Sequence, residues 1–181
     1  LSKHGLPAYS QHPLLRAVGI DRGFYRPLSA SEFERLAQQV PEDFRFTVKG
    51  PSFVTDALVR DERGQGQSLN PSFLDGELAR REFVEPAIEG LGAKLGALVF
   101  QISPLPPQLR RRMSEQLQRL DALLAALPAL PHGVVAIEVQ DGDLGLPPES
   151  ADYADYFEAA IGKALKDADG AITLNDIPAS R

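Results

Sequence analysis

The chain has 181 residues, 43% of them hydrophobic, enough for one domain with a sizeable core and too apolar for a disordered segment. A formal net charge of −6 disfavours non-specific binding to duplex nucleic acid or to anionic lipid. The absence of cysteine excludes disulfides, thiolate metal sites and a cysteine nucleophile, and fits a cytoplasmic location.

No apolar run reaches the ~18 residues of a membrane span, and no basic-then-apolar leader opens the chain. The start, LSKHGLPAYS, has no Met and reads as an internal or processed end.

In chain order, LRAVGID (15–21) is the first strand candidate. SASEFERLAQQV (29–40) follows as a helix, with Ser31 and Glu34 spaced as a capping box. FRFTVKG (44–50) is the second strand. Residues 56–73, DALVRDERGQGQSLNPSF, form the longest irregular stretch, either a surface excursion or a lid over the strand ends. FLDGELARREFVEPAIEGLG (73–92) is helical but carries Pro86, which predicts a kink or two shorter helices. LGALVFQIS (95–103) is the third strand. PPQLRRRMSEQLQRLDALLAALP (106–128) is a helix with one apolar stripe through Leu109, Met113, Leu117, Leu120, Leu124 and Leu127. VVAIEVQD (134–141) is the fourth strand, SADYADYFEAAIGKALKD (150–167) another helix and GAITLND (170–176) the fifth strand. Strands alternating with helices imply βαβ units and a parallel sheet.

Side chains along a strand alternate between two faces. One phase is large and apolar: Val18 and Ile20, Phe44, Phe46 and Val48, Leu98, Phe100 and Ile102, Val135, Ile137 and Val139, Ile172 and Leu174. The other is mostly small and ends in a polar group: Asp21, Lys49, Gln101, Glu138 and Asn175. An open sheet buried on both faces has apolar residues in both phases. A closed barrel has helices outside and polar strand ends at its mouth. The pattern therefore predicts a (β/α) barrel of the TIM type, a single domain over residues 1–181. Its C-terminal strand ends form the site. Strand ends are also polar simply because the chain is leaving the core, which is the plainer alternative for any one of these residues.

FYRPLS (24–29), PEDFRFTVKGP (41–51), LGALVFQISPLPP (95–107), AIEVQD (136–141) and LNDIP (174–178) occur in this order. Together they resemble the YecE-like family, the "domain of unknown function 72" group, from about Pro13 to Pro178. The resemblance implies a TIM-type barrel with a polar mouth and no established reaction. Residues matching the family's recurrent positions are Tyr25 and Arg26, Lys49, Gln101, Glu138, and Asn175 with Asp176. Where the family has a segment like VEINSTFYR, this chain reads VGIDRGFYR, with Gly19 in place of the glutamate and Asp21 in place of the asparagine. A full barrel takes roughly 250 residues, so the chain reads as a partial or truncated barrel, incomplete at both ends.

The chemistry-bearing set is Glu138, Lys49 and Asp176 as catalytic candidates, with Tyr25, Arg26, Gln101, Asn175 and Asp21 as binding candidates. Two carboxylates in different environments can act as acid and base, and a nearby lysine stabilises negative charge. The same groups can also form an internal salt-bridge network. Arg26 can clamp a carboxylate or phosphate, or lie solvated beside a packed Phe24 and Tyr25.

His4, His12 and His132 show no HxH or HExxH spacing, so no zinc site is expected. Mg²⁺ on Glu138, Asn175 and Asp176 is the weak alternative to no cofactor at all. Three functions compete. The first is an enzyme acting on a small polar metabolite by acid–base chemistry. The second is a non-catalytic ligand-binding barrel. The third is a nucleic-acid or protein surface around Arg110, Arg111 and Arg112, which the net charge disfavours. No membrane partner is expected, and the oligomeric state is open.

Overall fold

The computed structural model describes residues 5–139, which fall within one compact unit spanning residues 1–144. The predicted helix at 150–167, the strand at 171–175, and Asn175 and Asp176 lie outside the described residues.

The strands are β1 (Ala17–Ile20), β2 (Arg45–Lys49), β3 (Leu58–Arg60), β4 (Gly66–Leu69), β5 (Leu95–Ile102) and β6 (Val134–Val139). The helices are α1 (Gly5–Ser10), α2 (Ala30–Ala37), α3 (Ser52–Thr55), α4 (Gly76–Ala79), α5 (Glu85–Leu91), α6 (Pro107–Arg110) and α7 (Met113–Ala126). Four strands form a parallel sheet in the order β1-β2-β5-β6. This is a mixed α/β fold, and among the described residues the sheet does not close into a barrel.

One face of the sheet is the core. Phe46, Val48, Leu98 and Phe100 are each at most 1% exposed. The ring of Phe83 meets that of Phe100 edge-on at 5.6 Å, and Phe33 of α2 is buried at the seam between α2 and α5. Burying one such side chain stabilises the fold by roughly 1.5–3 kcal/mol. The seam itself depends on Gly90. A Cβ there would lie 2.3 Å from the Ala30 carbonyl oxygen and 2.5 Å from Phe33 Cβ. Lys94 closes the other end of α2, donating to the Ala37 and Val40 carbonyls at 2.8 and 2.9 Å and pairing with Glu42 at 3.0 Å. A cation on the last carbonyls of a helix complements its dipole.

Three local expectations need correction. The capping box of α2 is Ser29 with Glu32, not Ser31 with Glu34. Both pairs have the same spacing, and the extended backbone at Ser29 (φ −71°, ψ 160°) decides between them. The helix expected over 106–128 breaks at Arg111 and Arg112, where Arg112 leaves helical dihedrals. In α7 Leu120 of the expected stripe is buried and Met113, Leu117 and Leu124 are half-buried, while Gln116 and Leu123 complete the buried face. Residues 56–73 are not irregular, because β3 and β4 pair there as an antiparallel hairpin. Pro86 acts as expected. It lacks the N–H that would bond Glu82, and a π-helical turn, Arg80–Val84, separates α4 from α5.

Candidate functional site

The second face of the same strands holds the candidate site. The register places Gly19 beside Thr47, Thr47 beside Ala97, Lys49 beside Val99, Val99 beside Ala136 and Gln101 beside Glu138. Neighbours in a parallel sheet present their side chains to the same face. A cleft of about 250 Å³ opens there, lined by Gly19, Asp21, Thr47, Lys49, Val99, Gln101 and Glu138. The small residues Gly19 and Val99 give it depth. The polar residues sit at or just past the C-terminal strand ends because each is the last of its phase.

Gln101 Nε2 donates to Glu138 Oε1 at 2.6 Å. This contact follows directly from the register, since the two residues are cross-strand neighbours. Glu138 is exposed, not buried as its place within an apolar strand suggests. The carboxylate therefore keeps water contact and does not depend on Lys49 for compensation.

Lys49 has a different partner. Its ammonium lies 4.4 Å from the centre of the Phe24 ring, a cation–π contact worth about 0.5–1 kcal/mol at a partly exposed site. Phe24 reaches it because two backbone hydrogen bonds fix the loop after β1. Phe24 N donates to Asp21 O at 3.0 Å, and Ser52 N donates to Phe24 O at 2.7 Å. The second bond ties the loop to the start of α3, three residues beyond Lys49. Sequence reading passed over Phe24 and Thr47. Thr47 was legible in the alternation of β2, whereas the Phe24 contact depends on a loop conformation that no local pattern encodes.

Tyr25 and Arg26 do not line the cleft. Tyr25 is 87% exposed, its ring edge-on to Phe24. Arg26 spends its guanidinium on Glu32, with contacts of 2.6 and 3.3 Å. Glu32 also accepts from the Ser29 backbone N–H at 2.9 Å. The Arg26 hydrogen bond, then the Ser29 backbone bond, hold its carboxyl well below the usual range, at about 2. This knot fastens the β1–α2 loop to the helix it enters.

The β3–β4 hairpin stands at the same end of the sheet. Its base is tied to the residue after β5: Ala57 N donates to Ser103 Oγ at 2.8 Å, and Ser103 N to Thr55 O at 3.0 Å. Asn70 closes the base from the other side, donating to the Phe53 and Asp56 carbonyls at 2.9 and 2.8 Å. Asp56 Oδ2 accepts from Arg60 Nε at 2.5 Å. Residues 61–69 are all exposed. Among the described residues, no group of three or more His, Cys, Asp or Glu is placed to hold a metal ion.

The fold and cleft define an α/β protein with a polar site at the C-terminal ends of a parallel sheet. A family model described as "Protein of unknown function DUF72" matches residues 1–165, and the chain belongs to that family. No curated protein matches it. Two crystal structures of a DUF72 family protein from Enterococcus faecalis V583, at 2.52 and 3.10 Å, share its fold, each with 20% identity. The TM-scores are 0.53 and 0.52, with 85% and 83% of this chain covered. The match covers 55% of each of those chains, so this chain spans little more than half the length of the proteins it resembles. No helix among the described residues is long and apolar enough to cross a membrane.

Proposed function

We propose that the four-stranded sheet is an arc of a TIM-type (β/α) barrel, and that its cleft is the active site of an enzyme acting on a small polar metabolite. Glu138 serves as the proton-transferring group, and Lys49 stabilises negative charge that develops on the substrate. Gln101 and Asp21 orient the substrate. One observation carries the reading: the Gln101–Glu138 hydrogen bond stands in one cleft with Lys49 at the C-terminal ends of adjacent parallel strands. Ligands of parallel α/β folds bind at that end.

The exposure of Glu138 favours a second reading, a binding site without catalysis, because an exposed carboxylate held by a neutral amide is a ready ligand acceptor. Incubation of the protein with a metabolite extract, followed by mass spectrometry, separates the two. An enzyme depletes one compound and accumulates another, and Glu138→Gln stops the change. A binding protein retains a compound unchanged. If Glu138→Gln alters neither turnover nor retention, the cleft is not the site.

A further inference from the structure

The two described lysines contrast sharply. Lys94 places its ammonium on two carbonyls and a carboxylate. Among the described residues, Lys49 has the Phe24 ring and no carboxylate in ion-pair contact. An ammonium carries three donors. Those of Lys94 are matched within the fold, whereas those of Lys49 are held beside a cleft and left for water or a ligand.

The neighbours of Lys49 have the opposite character. Asp21 follows β1 on one side. Glu138 and Gln101 lie on the other, with Gln101's amide nitrogen already committed to Glu138. From β1 to β6 the cleft therefore reads acceptor, cation, acceptor. The register fixes the scale. Lys49 is level with Val99 and Ala136, so Glu138 lies two strands across and two residues further along. Inter-strand spacings and rise put their Cα atoms roughly 11–12 Å apart. Once both side chains reach inward, the gap suits a chain or ring of about six heavy atoms.

We propose that the cleft takes a small polyhydroxylated anion, with its carboxylate or phosphate on Lys49 and its hydroxyls donating to Glu138 and Asp21. The inference rests on the cleft being the functional site and names the ligand class of that site. Phe24 holds the ammonium in place by its ring face without neutralising it, so the charge stays available to the anion. Sugar phosphates and sugar acids combine one terminal anion with several hydroxyl donors, so the anion can sit on Lys49 while hydroxyls further along the chain reach a carboxylate. Neutral sugars lack the anion, and free phosphate lacks the row of carbon-bound hydroxyls.

Calorimetric titration of the protein with gluconate, glucose 6-phosphate, glucose and inorganic phosphate tests the proposal. Gluconate or glucose 6-phosphate should bind at least tenfold tighter than either glucose or phosphate, and the stronger of the two identifies the anion. Lys49→Gln should reduce that affinity about tenfold or more while leaving weak glucose binding unchanged, the loss expected for one charge-assisted contact. Lys49→Arg should retain most of it. If Lys49→Gln fails to fold, the wild type still decides: affinity for the anion should fall with added salt and affinity for glucose should not.

Three outcomes overturn the proposal. One is glucose binding as tightly as the anions, another is no anion binding at 10 mM, and the third is a Lys49→Gln loss equal for charged and neutral ligands. In the first and third cases, loss of binding in Glu138→Gln shows that the site reading survives. Binding insensitive to both substitutions shows that the site reading fails as well.

Discussion

The two faces of the central strands are built from alternating residues of the same segments, yet they obey different rules. On one face Phe46, Val48, Leu98 and Phe100 are almost completely shielded from water. On the other, Thr47 and Glu138 are exposed, and Lys49, Val99 and Gln101 are half-buried. The first face stabilises the fold. The second adds little to stability, and its polar groups are arranged toward a cleft and not toward one another, apart from Gln101 and Glu138. A substitution one residue along a strand therefore crosses from a stability effect to a binding effect.

Phe100→Ala should break the covered face most severely. It removes a fully buried ring that packs on Phe83. The expected cost is about 3–5 kcal/mol, read as a lower denaturant midpoint. Gly90→Ala comes next. The added methyl meets the backbone of α2 and the Phe33 side chain, so the two helices have to move apart. A loss of roughly 1–3 kcal/mol is expected. Stability equal to wild type would show that the seam is looser than its geometry indicates.

On the open face the sizes invert. Glu138→Gln keeps the shape and an acceptor oxygen, and the site is exposed, so stability should change by less than ~1 kcal/mol. Ligand binding, by contrast, should be lost. A collapse of stability in Glu138→Gln would place Glu138 with the structural face and erase the contrast between the two.

This division was legible in sequence because β-strand alternation is a strict physical period. The strand candidates at 15–21, 44–50, 95–103 and 134–141 contain β1, β2, β5 and β6, each to within two residues at either end of the described strand. Phase places Asp21, Lys49, Gln101 and Glu138 on the face where the cleft opens. What was illegible depended on competition between equal local signals. Ser29 and Ser31 each precede a glutamate by three residues, and only the extended backbone entering at Ser29 selects one. The break at Arg111 and Arg112 was missed because the apolar spacing runs through it unbroken from Leu109 to Met113. The β3–β4 hairpin was missed because its strands are exposed on both faces and leave no hydrophobic alternation. Its turn signal, Asp61 with Gly64 at φ 77°, was present. Arg26 was read as either a ligand clamp or a solvated side chain, and its engagement by Glu32 became visible only once the cap of α2 was placed.

That knot supplies the smallest expected effect and separates the loop from both faces of the sheet. Glu32 has a carboxyl held at about 2, first by the Arg26 hydrogen bond and then by the Ser29 backbone N–H. In the unfolded chain a glutamate titrates near ~4.3. A group whose folded value is depressed contributes stability that is fully present above the unfolded value and is lost as pH falls through the folded one. The contribution of Glu32 should thus be complete above about pH 5 and fade between there and about pH 2. Arg26 is open to solvent and Glu32 half-buried, so water and salt still reach the pair and the effect should be slight. A melting-temperature series over this window should show a shallower acid-side decline in Glu32→Gln than in wild type, and raised salt should narrow the difference. Arg26→Met should remove only part of it, because the Ser29 N–H still bonds the carboxylate. An Arg26→Met profile as flat as that of Glu32→Gln would make the arginine the sole source of the shift. The capping hydrogen bond would then have no part in the acid response.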